Sequence, residues 1–269
     1  MTQCHSCAYP VERFMSFGRM PIANGFLTED QFAQEFFYDL QVGFCPSCSL
    51  VQLIQLVEPE KLFHDNYAYF SSTSARMAEH FREFARQTSE RYLSENDPFV
   101  VEIGSNDGIM LKNFAVDGVR HLGVDPAKNV AQEAARQGVA TLCRFFNQET
   151  ASEIRQGHGL ADAILAANVF SHIPDIHSVI AGVDLLLKDQ GVFIVEAPYL
   201  GDIIEKAAYD QFYDEHVFYF GLSSLNNILA RHGMVVIDAE PQEVHGGSMR
   251  YVIARKGARP PTAGVTRVG

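Results

Sequence analysis

The sequence predicts an α/β protein, a doubly wound parallel-sheet domain preceded by a small metal-binding module. Three observations carry this expectation. The apolar run 99–103 breaks at a short loop with two glycines, Gly104-Ser105-Asn106-Asp107-Gly108. A second strand, Leu122-Gly123-Val124, ends in Asp125 about 20 residues later, near the spacing of an acid that holds ribose hydroxyls. Two Cys-x-x-Cys pairs, Cys4/Cys7 and Cys45/Cys48, lie in the N-terminal part of the chain.

The totals narrow the function classes. The chain has 269 residues, 47% of them hydrophobic, so it is long enough for a full core and is globular rather than disordered. Its formal net charge is −12 and no cluster of lysine or arginine stands out. That argues against a nucleic-acid surface, which needs a basic stripe. No apolar run reaches the ~18–20 residues of a membrane span, and the N-terminus lacks the basic and apolar regions of a signal peptide. A soluble, cytoplasmic protein is expected.

Residues 1–60 read as the metal-binding module. Each Cys pair forms a knuckle that points two sulfurs at one ion. Four thiolates close a tetrahedral shell, so Cys4, Cys7, Cys45 and Cys48 are candidate ligands of a structural Zn2+. A redox pair or unpaired thiols are the alternatives, and His5 reads as a bystander. The gap between the pairs exceeds the ~15–20 residues of small ribbons and implies a substantial insert. Within it, Pro21, Asn24 and Gly25 mark an irregular loop. Leu50-Val51-Gln52-Leu53 reads as a strand, and Glu58-Pro59-Glu60 ends the module with a helical turn.

Residues 61–93 form a connecting segment and helix. The run 66–74, opened by Asn66, is rich in hydroxyls and aromatics. A helix from about Ser74 to Leu93 carries apolar Met77, Phe81, Phe84 and Ala85. Tyr67 and Tyr69 either point into a cleft or pack as rim aromatics.

Residues 94–255 alternate strands and helices. The run 99–103 is β-branched without alternation, as in a strand buried on both faces. After Asp125 come a helix over 127–137 and a strand over 140–144, with Cys143 expected to be buried. A strand over 163–167 closes at Asn168, a helix spans 176–187, and a strand over 192–196 ends in Glu196. Strands over 235–240 and 250–255 complete the sheet. Right-handed crossovers gather the carboxyl ends of such strands on one rim, where ligands bind. That rim would collect Glu102, Asp125, Asn168, His172 and Glu196.

The glycine loop indicates the ligand. A nicotinamide site wants G-x-G-x-x-G facing a pyrophosphate. This loop has two glycines and Asp107, which would repel one. With acids and no phosphate-cradling pattern, the loop suits an uncharged-tail nucleoside, and S-adenosylmethionine (SAM) fits, since its sulfonium and amino groups are cationic. Glu102, Gly104, Asn106, Gly108, Asp125 and Asn168 are the candidate cofactor-binding residues. An ordinary tight turn is the alternative.

Gln211 to Phe220 is the stretch richest in chemistry. His216, with an unshifted pKa near 6.5, is a candidate general base, and Tyr213 and Glu215 beside it could polarise a carbonyl or orient the ring. A structural histidine in an aromatic loop is the alternative. Later, His245-Gly246-Gly247-Ser248-Met249-Arg250 reads either as a site for a phosphate or sugar hydroxyl or as a glycine hairpin. His245, Ser248, Arg250 and Glu196 are the candidate substrate-binding residues.

In this order the motifs resemble the zinc-containing sugar C-methyltransferases of deoxysugar biosynthesis. The resemblance rests on the Cys pairs around Pro21-Ile22-Ala23-Asn24, on Leu50-Val51-Gln52-Leu53 and on Tyr67-Ala68-Tyr69-Phe70-Ser71-Ser72. It continues through Glu102 to Gly108, Glu196-Ala197-Pro198-Tyr199-Leu200, Tyr213-Asp214-Glu215-His216 and His245 to Arg250. It implies a class I SAM-methyltransferase (Rossmann-like) domain behind a zinc-binding module. The implied substrate is a nucleotide-linked 4-keto-6-deoxy sugar, commonly dTDP-linked. His216 would remove the proton beside the ketone, Tyr213 and Glu215 would hold the keto oxygen or the sugar, and Tyr67 would lie over the same site. Family members usually continue with a further C-terminal α/β domain that walls the sugar cleft. This sequence instead ends in a tail, 256–269, with no core-forming pattern and expected to be disordered. Either a truncated form or a partner that supplies the missing wall is the expectation. Methylation of oxygen or nitrogen on another small molecule is an alternative, as is a truncated, inactive scaffold that binds zinc and SAM.

Overall fold

The computed structural model describes residues 2–63, 67–93 and 96–268. Asn66 and the domain boundary expected at residue 94 lie outside them. The wide gap between the Cys pairs is filled by a long antiparallel hairpin, β1 (Glu12–Pro21) and β2 (Phe37–Cys45). β2 pairs in turn with β3 (Leu50–Leu53) across the second Cys pair. A turn of helix, α1 (Pro59–Leu62), starts at the proline that pre-sets its first residue. The long helix α2 (Ala75–Tyr92) is capped by Ser74, whose side chain accepts from the Met77 N–H.

The second half follows the alternation expected of it. Its elements are β4 (Phe99–Ile103), α3 (Leu111–Val116), β5 (Arg120–Val124), α4 (Lys128–Arg136), β6 (Thr141–Leu142) and α5 (Gln148–His158). Then come β7 (Ala161–Ala167), α6 (Ile176–Leu186), β8 (Leu187–Pro198), α7 (Leu200–Glu205) and β9 (Phe218–Tyr219). The chain closes with α8 (Leu222–Leu229), β10 (Met234–Gln242), β11 (Ser248–Arg255) and α9 (Ala263–Val268). No helix among the described residues is long and apolar enough to cross a membrane.

The main sheet runs β10-β11-β8-β7-β4-β5-β6, with β4 near its centre and buried along its whole length. That burial on both faces explains the unbroken apolar run. One face packs under α2 through Met77, Phe81, Phe84 and Ala85. The other packs under α5, α6 and α8, and the same core includes Cys4, Cys45, Cys48 and Leu50 of the N-terminal module. The module is also stitched to the domain by backbone. β9 adds to the small sheet beside β3, giving the order β1-β2-β3-β9.

Four expectations are corrected. β11 runs antiparallel to β8, so its amino end, Ser248, and not its carboxyl end, reaches the ligand rim. The third strand of the domain shrinks to two residues, because β6 pairs only at Thr141 and Leu142 on the sheet edge. Cys143 follows it and is exposed rather than buried. The tail is not structureless over its described part. Thr262 donates its N–H to the Ile237 carbonyl and its hydroxyl to Asp238, Gly264 is buried against Asp238, and Val265 packs on the core. A side chain on Gly264 would overlap the Asp238 carboxylate, so the glycine itself permits the docking.

Candidate functional site

The glycine loop leaves the carboxyl end of β4 with three residues in the left-handed region, Gly104 at φ 66°, Asn106 at 48° and Gly108 at 80°. A Cβ on Gly104 would lie 2.5 Å from the Val169 side chain, and one on Gly108 would lie 2.9 Å from Val139. Both glycines are therefore fixed by conformation and by space. Asp125, at the end of β5, accepts from the N–H of Asn106 and of Ala127, at 2.9 Å each. Burial pushes its carboxyl above the usual range, against those two hydrogen bonds.

The segment after Tyr67 lies across this loop. The Ser71 N–H donates to Asn106, the Ser72 N–H to Asp107, and Asn106 returns a bond to the Tyr69 carbonyl. Asn129 holds the Tyr67 carbonyl at 2.8 Å. Tyr67 thus roofs a cavity of about 340 Å³ whose floor includes Gly104, Asn106, Asp125 and Asn168. Its far wall carries Tyr213, Glu215, His216 and His245. No lysine or arginine lines it among the described residues.

In that wall, His216 is 5% exposed. Its Nδ1 faces the Gln211 carbonyl at 2.9 Å, which assigns the ring proton to Nδ1. Nε2 is then the free base and accepts from the Tyr213 hydroxyl at 3.0 Å. Burial lowers the His216 pKa to about 4, so the ring is neutral at ordinary pH. Glu215 accepts from Asn24 Nδ2 at 2.6 Å and from the Tyr67 hydroxyl at 3.1 Å. Burial outweighs these bonds and raises its pKa. The phenols of Tyr67 and Tyr213 are pushed up by burial and by the Glu215 charge, so both remain donors.

The structure brings most of the sequence-expected residues to one cavity, and leaves five off its wall. Glu102 lies beneath the loop, buried, with one carboxylate oxygen unpartnered and its pKa driven well up by burial and by Asp125. Gly108 faces Val139. Ser248 donates to the Val244 carbonyl. Glu196 and Arg250 are register partners across β8 and β11 and bond each other, so neither is available to a substrate. His80 of α2 completes that pair at 2.6 Å from Glu196.

Asn24 and His172 are cavity residues outside the expected cofactor, substrate and catalytic sets. Asn24 enters from the N-terminal module, and the sequence marks it as part of an irregular loop and of the Pro21-Ile22-Ala23-Asn24 motif, without a role. His172 follows β7, stacks on Phe63, and lies 5.0 Å from the His216 ring, centroid to centroid. Its place on the rim was legible in the strand alternation.

The four cysteine sulfurs lie within 4.8 Å of one another. Cys4–Cys48 and Cys7–Cys45 approach to 3.7 and 3.4 Å. A tetrahedron of ~2.3 Å Zn–S bonds has edges of about 3.8 Å, so the set fits a Zn2+ ion. The two knuckles are built alike. Ala8 N–H bonds the Cys4 carbonyl, Ser49 N–H bonds the Cys45 carbonyl, and both residues have left-handed backbones. His5 bonds the Leu53 carbonyl and is not among the close-set ligands.

Residues 4–63 match a family described as a zinc binding domain, and residues 76–239 match one described as a methyltransferase domain. The chain is 39% identical over 236 residues to C-methyltransferase NovU of Streptomyces niveus, across 87% of this chain and 56% of that protein. Over 104 residues it is 28% identical to a ubiquinone biosynthesis O-methyltransferase of Glaesserella parasuis, across 36% of this chain and 43% of that protein. The chain thus spans about half the length of these curated relatives. Among solved structures it resembles an S-adenosylmethionine-dependent methyltransferase from Clostridium acetobutylicum, with TM-score 0.52 and 14% identity over 67% of this chain and 92% of that one. It also resembles magnesium protoporphyrin IX methyltransferase from Synechocystis with bound SAH, with TM-score 0.51 and 15% identity over 73% and 92%.

Proposed function

Because this chain belongs to the methyltransferase-domain family, we propose that it is a SAM-dependent C-methyltransferase acting beside the ketone of a nucleotide-linked 4-keto-6-deoxy sugar. The observation that carries the reading is the neutral His216, which lines the same cavity as the glycine loop with Nδ1 held by the Gln211 carbonyl and Nε2 left as the acceptor. A cavity with Asp125 and Glu215 but no lysine or arginine among the described residues suits the cationic sulfonium and ammonium groups of SAM. When bound, SAM supplies an electrophilic methyl group.

In this reading Asp125 holds ribose hydroxyls, and Gly104, Asn106 and Asn168 shape the cofactor's seat. His216 Nε2 takes the proton from the carbon beside the ketone. The Tyr213 hydroxyl turns to the keto oxygen and stabilises the enolate charge, in a site that Tyr67 closes to water. Glu215 holds Tyr67 and accepts from a sugar hydroxyl, and His245 lies over the ring. The four cysteines hold Zn2+ as a structural ion. The uncharged sugar ring fits inside the cavity. The nucleotide, dTDP in the leading case, stays at the mouth of the cavity.

The test is methyl transfer to a dTDP-4-keto-6-deoxy sugar, with the product mapped by NMR. A new carbon–methyl bond beside the ketone is expected. A methyl on oxygen or nitrogen, or no transfer, would overturn the reading. The His216→Ala variant should lose about 10²- to 10⁴-fold in rate while binding S-adenosylhomocysteine normally.

A further inference from the structure

Residues 22–25 form a tight loop directly after β1, closed by the Gly25 N–H on the Ile22 carbonyl. Two adjacent residues of this loop reach two adjacent residues of the loop that bears His216. The Ala23 N–H donates to Asp214 Oδ1 at 3.2 Å. Asn24 Nδ2 donates to Glu215 Oε1 at 2.6 Å. Each partner is at most 3% exposed, and Asp214's second oxygen has no hydrogen-bond partner among the described residues. On the other side of His216, the Leu53 N–H of β3 donates to the Val217 carbonyl at 2.9 Å, and β9 continues the pairing. Residues 214–219 are therefore held from both ends by the N-terminal module.

We infer that Asn24 is a positioning residue for methyl transfer: it clamps Glu215, and the module carrying it forms part of the active-site wall. This rests on the proposed function for its catalytic readout. Glu215 is capped at both oxygens by neutral donors, Asn24 on one side and Tyr67 on the other. The titratable groups acting on it or on those partners are Asp214 and Tyr213 on its own loop, Tyr67 from the roof segment, and Asp125 across the cavity. No cation among the described residues bonds it. Loss of the amide donor would free the carboxylate to turn. It would then release Tyr67 and loosen the turn that holds the His216 ring.

The test uses Asn24→Ala and Asn24→Asp in the full chain. Both should keep zinc and S-adenosylhomocysteine binding. Both should lose about ten- to hundredfold in kcat, the effect of one hydrogen bond to a buried charged group. Asn24→Asp sets a second carboxylate against Glu215. Like charges so close cannot both ionise, so one proton is shared as pH falls, and the bond is restored. Its activity relative to wild type should therefore rise toward acid pH, while that of Asn24→Ala should fall, because losing the amide donor raises the Glu215 pKa further. A purely structural role would not produce that split. Amide hydrogen exchange supplies a readout without substrate, with faster exchange at residues 213–217 expected in both variants. Wild-type exchange there in both variants would overturn the clamp. So would wild-type turnover in both variants, pH profiles of the two variants that run parallel, or losses explained by missing zinc or cofactor binding. If the wild-type chain turns over no keto sugar, the functional reading fails, and the clamp stands or falls on exchange alone.

Discussion

Two buried glutamates near the ligand rim have opposite environments. Glu196, wholly buried, meets Arg250 twice, at 2.8 and 2.9 Å, and His80 at 2.6 Å. Arg250 in turn lies 3.7 Å over the Phe84 ring. Burial pushes the Glu196 pKa up, but the His80 hydrogen bond and the Arg250 charge outweigh it, so the group stays below the ordinary range. Among the described residues Glu215 meets only neutral donors, and burial leaves its pKa raised. A carboxylate locked by a cation fastens α2 to the sheet. One held by an amide and a phenol keeps capacity for another partner. That difference separates a structural pair from a candidate site, although both occur in equally suggestive sequence motifs.

The largest expected effect breaks the structural side. Arg250→Ala leaves Glu196 buried beside His80 alone, and removing one member of such a pair costs about 3–5 kcal/mol. Urea unfolding should register that loss, while the folded fraction keeps its cofactor affinity, since Arg250 does not line the cavity. The converse change, Glu215→Gln, should leave stability within about 1 kcal/mol yet lower turnover roughly ten- to hundredfold. If Glu215→Gln unfolds the chain, or Arg250→Ala abolishes activity without unfolding it, the contrast fails.

A smaller effect sharpens it through pH. Glu196, with its lowered folded pKa, contributes stability above its unfolded value that disappears as pH falls through the folded one. Glu215, with its raised folded pKa, binds a proton more tightly when folded. It therefore opposes stability as pH rises from the unfolded value through the folded one. Glu196→Gln should flatten the acid limb of the stability profile, and Glu215→Gln should flatten the decline above the normal carboxylate range. Unfolding curves at a series of pH values read both.

Much of this was legible in the sequence, for physical reasons that also mark where legibility ends. The β4 run and its glycine loop are local signals, since burial on both faces and left-handed backbone each leave a residue signature. The Cys pairs are equally local. Arg250 and Glu196 misled because strand register, which no short stretch reveals, sets them opposite each other on β11 and β8. Asn24 was missed as a cavity residue because its partner lies 191 positions away, and its loop carries only turn chemistry. The tail deceived by composition: one buried glycine and one threonine bonding Asp238 suffice to dock it, and neither resembles a core pattern.

The central claim is that His216 Nε2 removes the proton beside the ketone. Its most direct test is solvent exchange, with the keto sugar incubated in D2O with enzyme and S-adenosylhomocysteine, so that no methyl can be transferred. The wild-type chain should carry deuterium into the position beside the ketone, and His216→Ala should not. Exchange by His216→Ala at the wild-type rate would contradict the account.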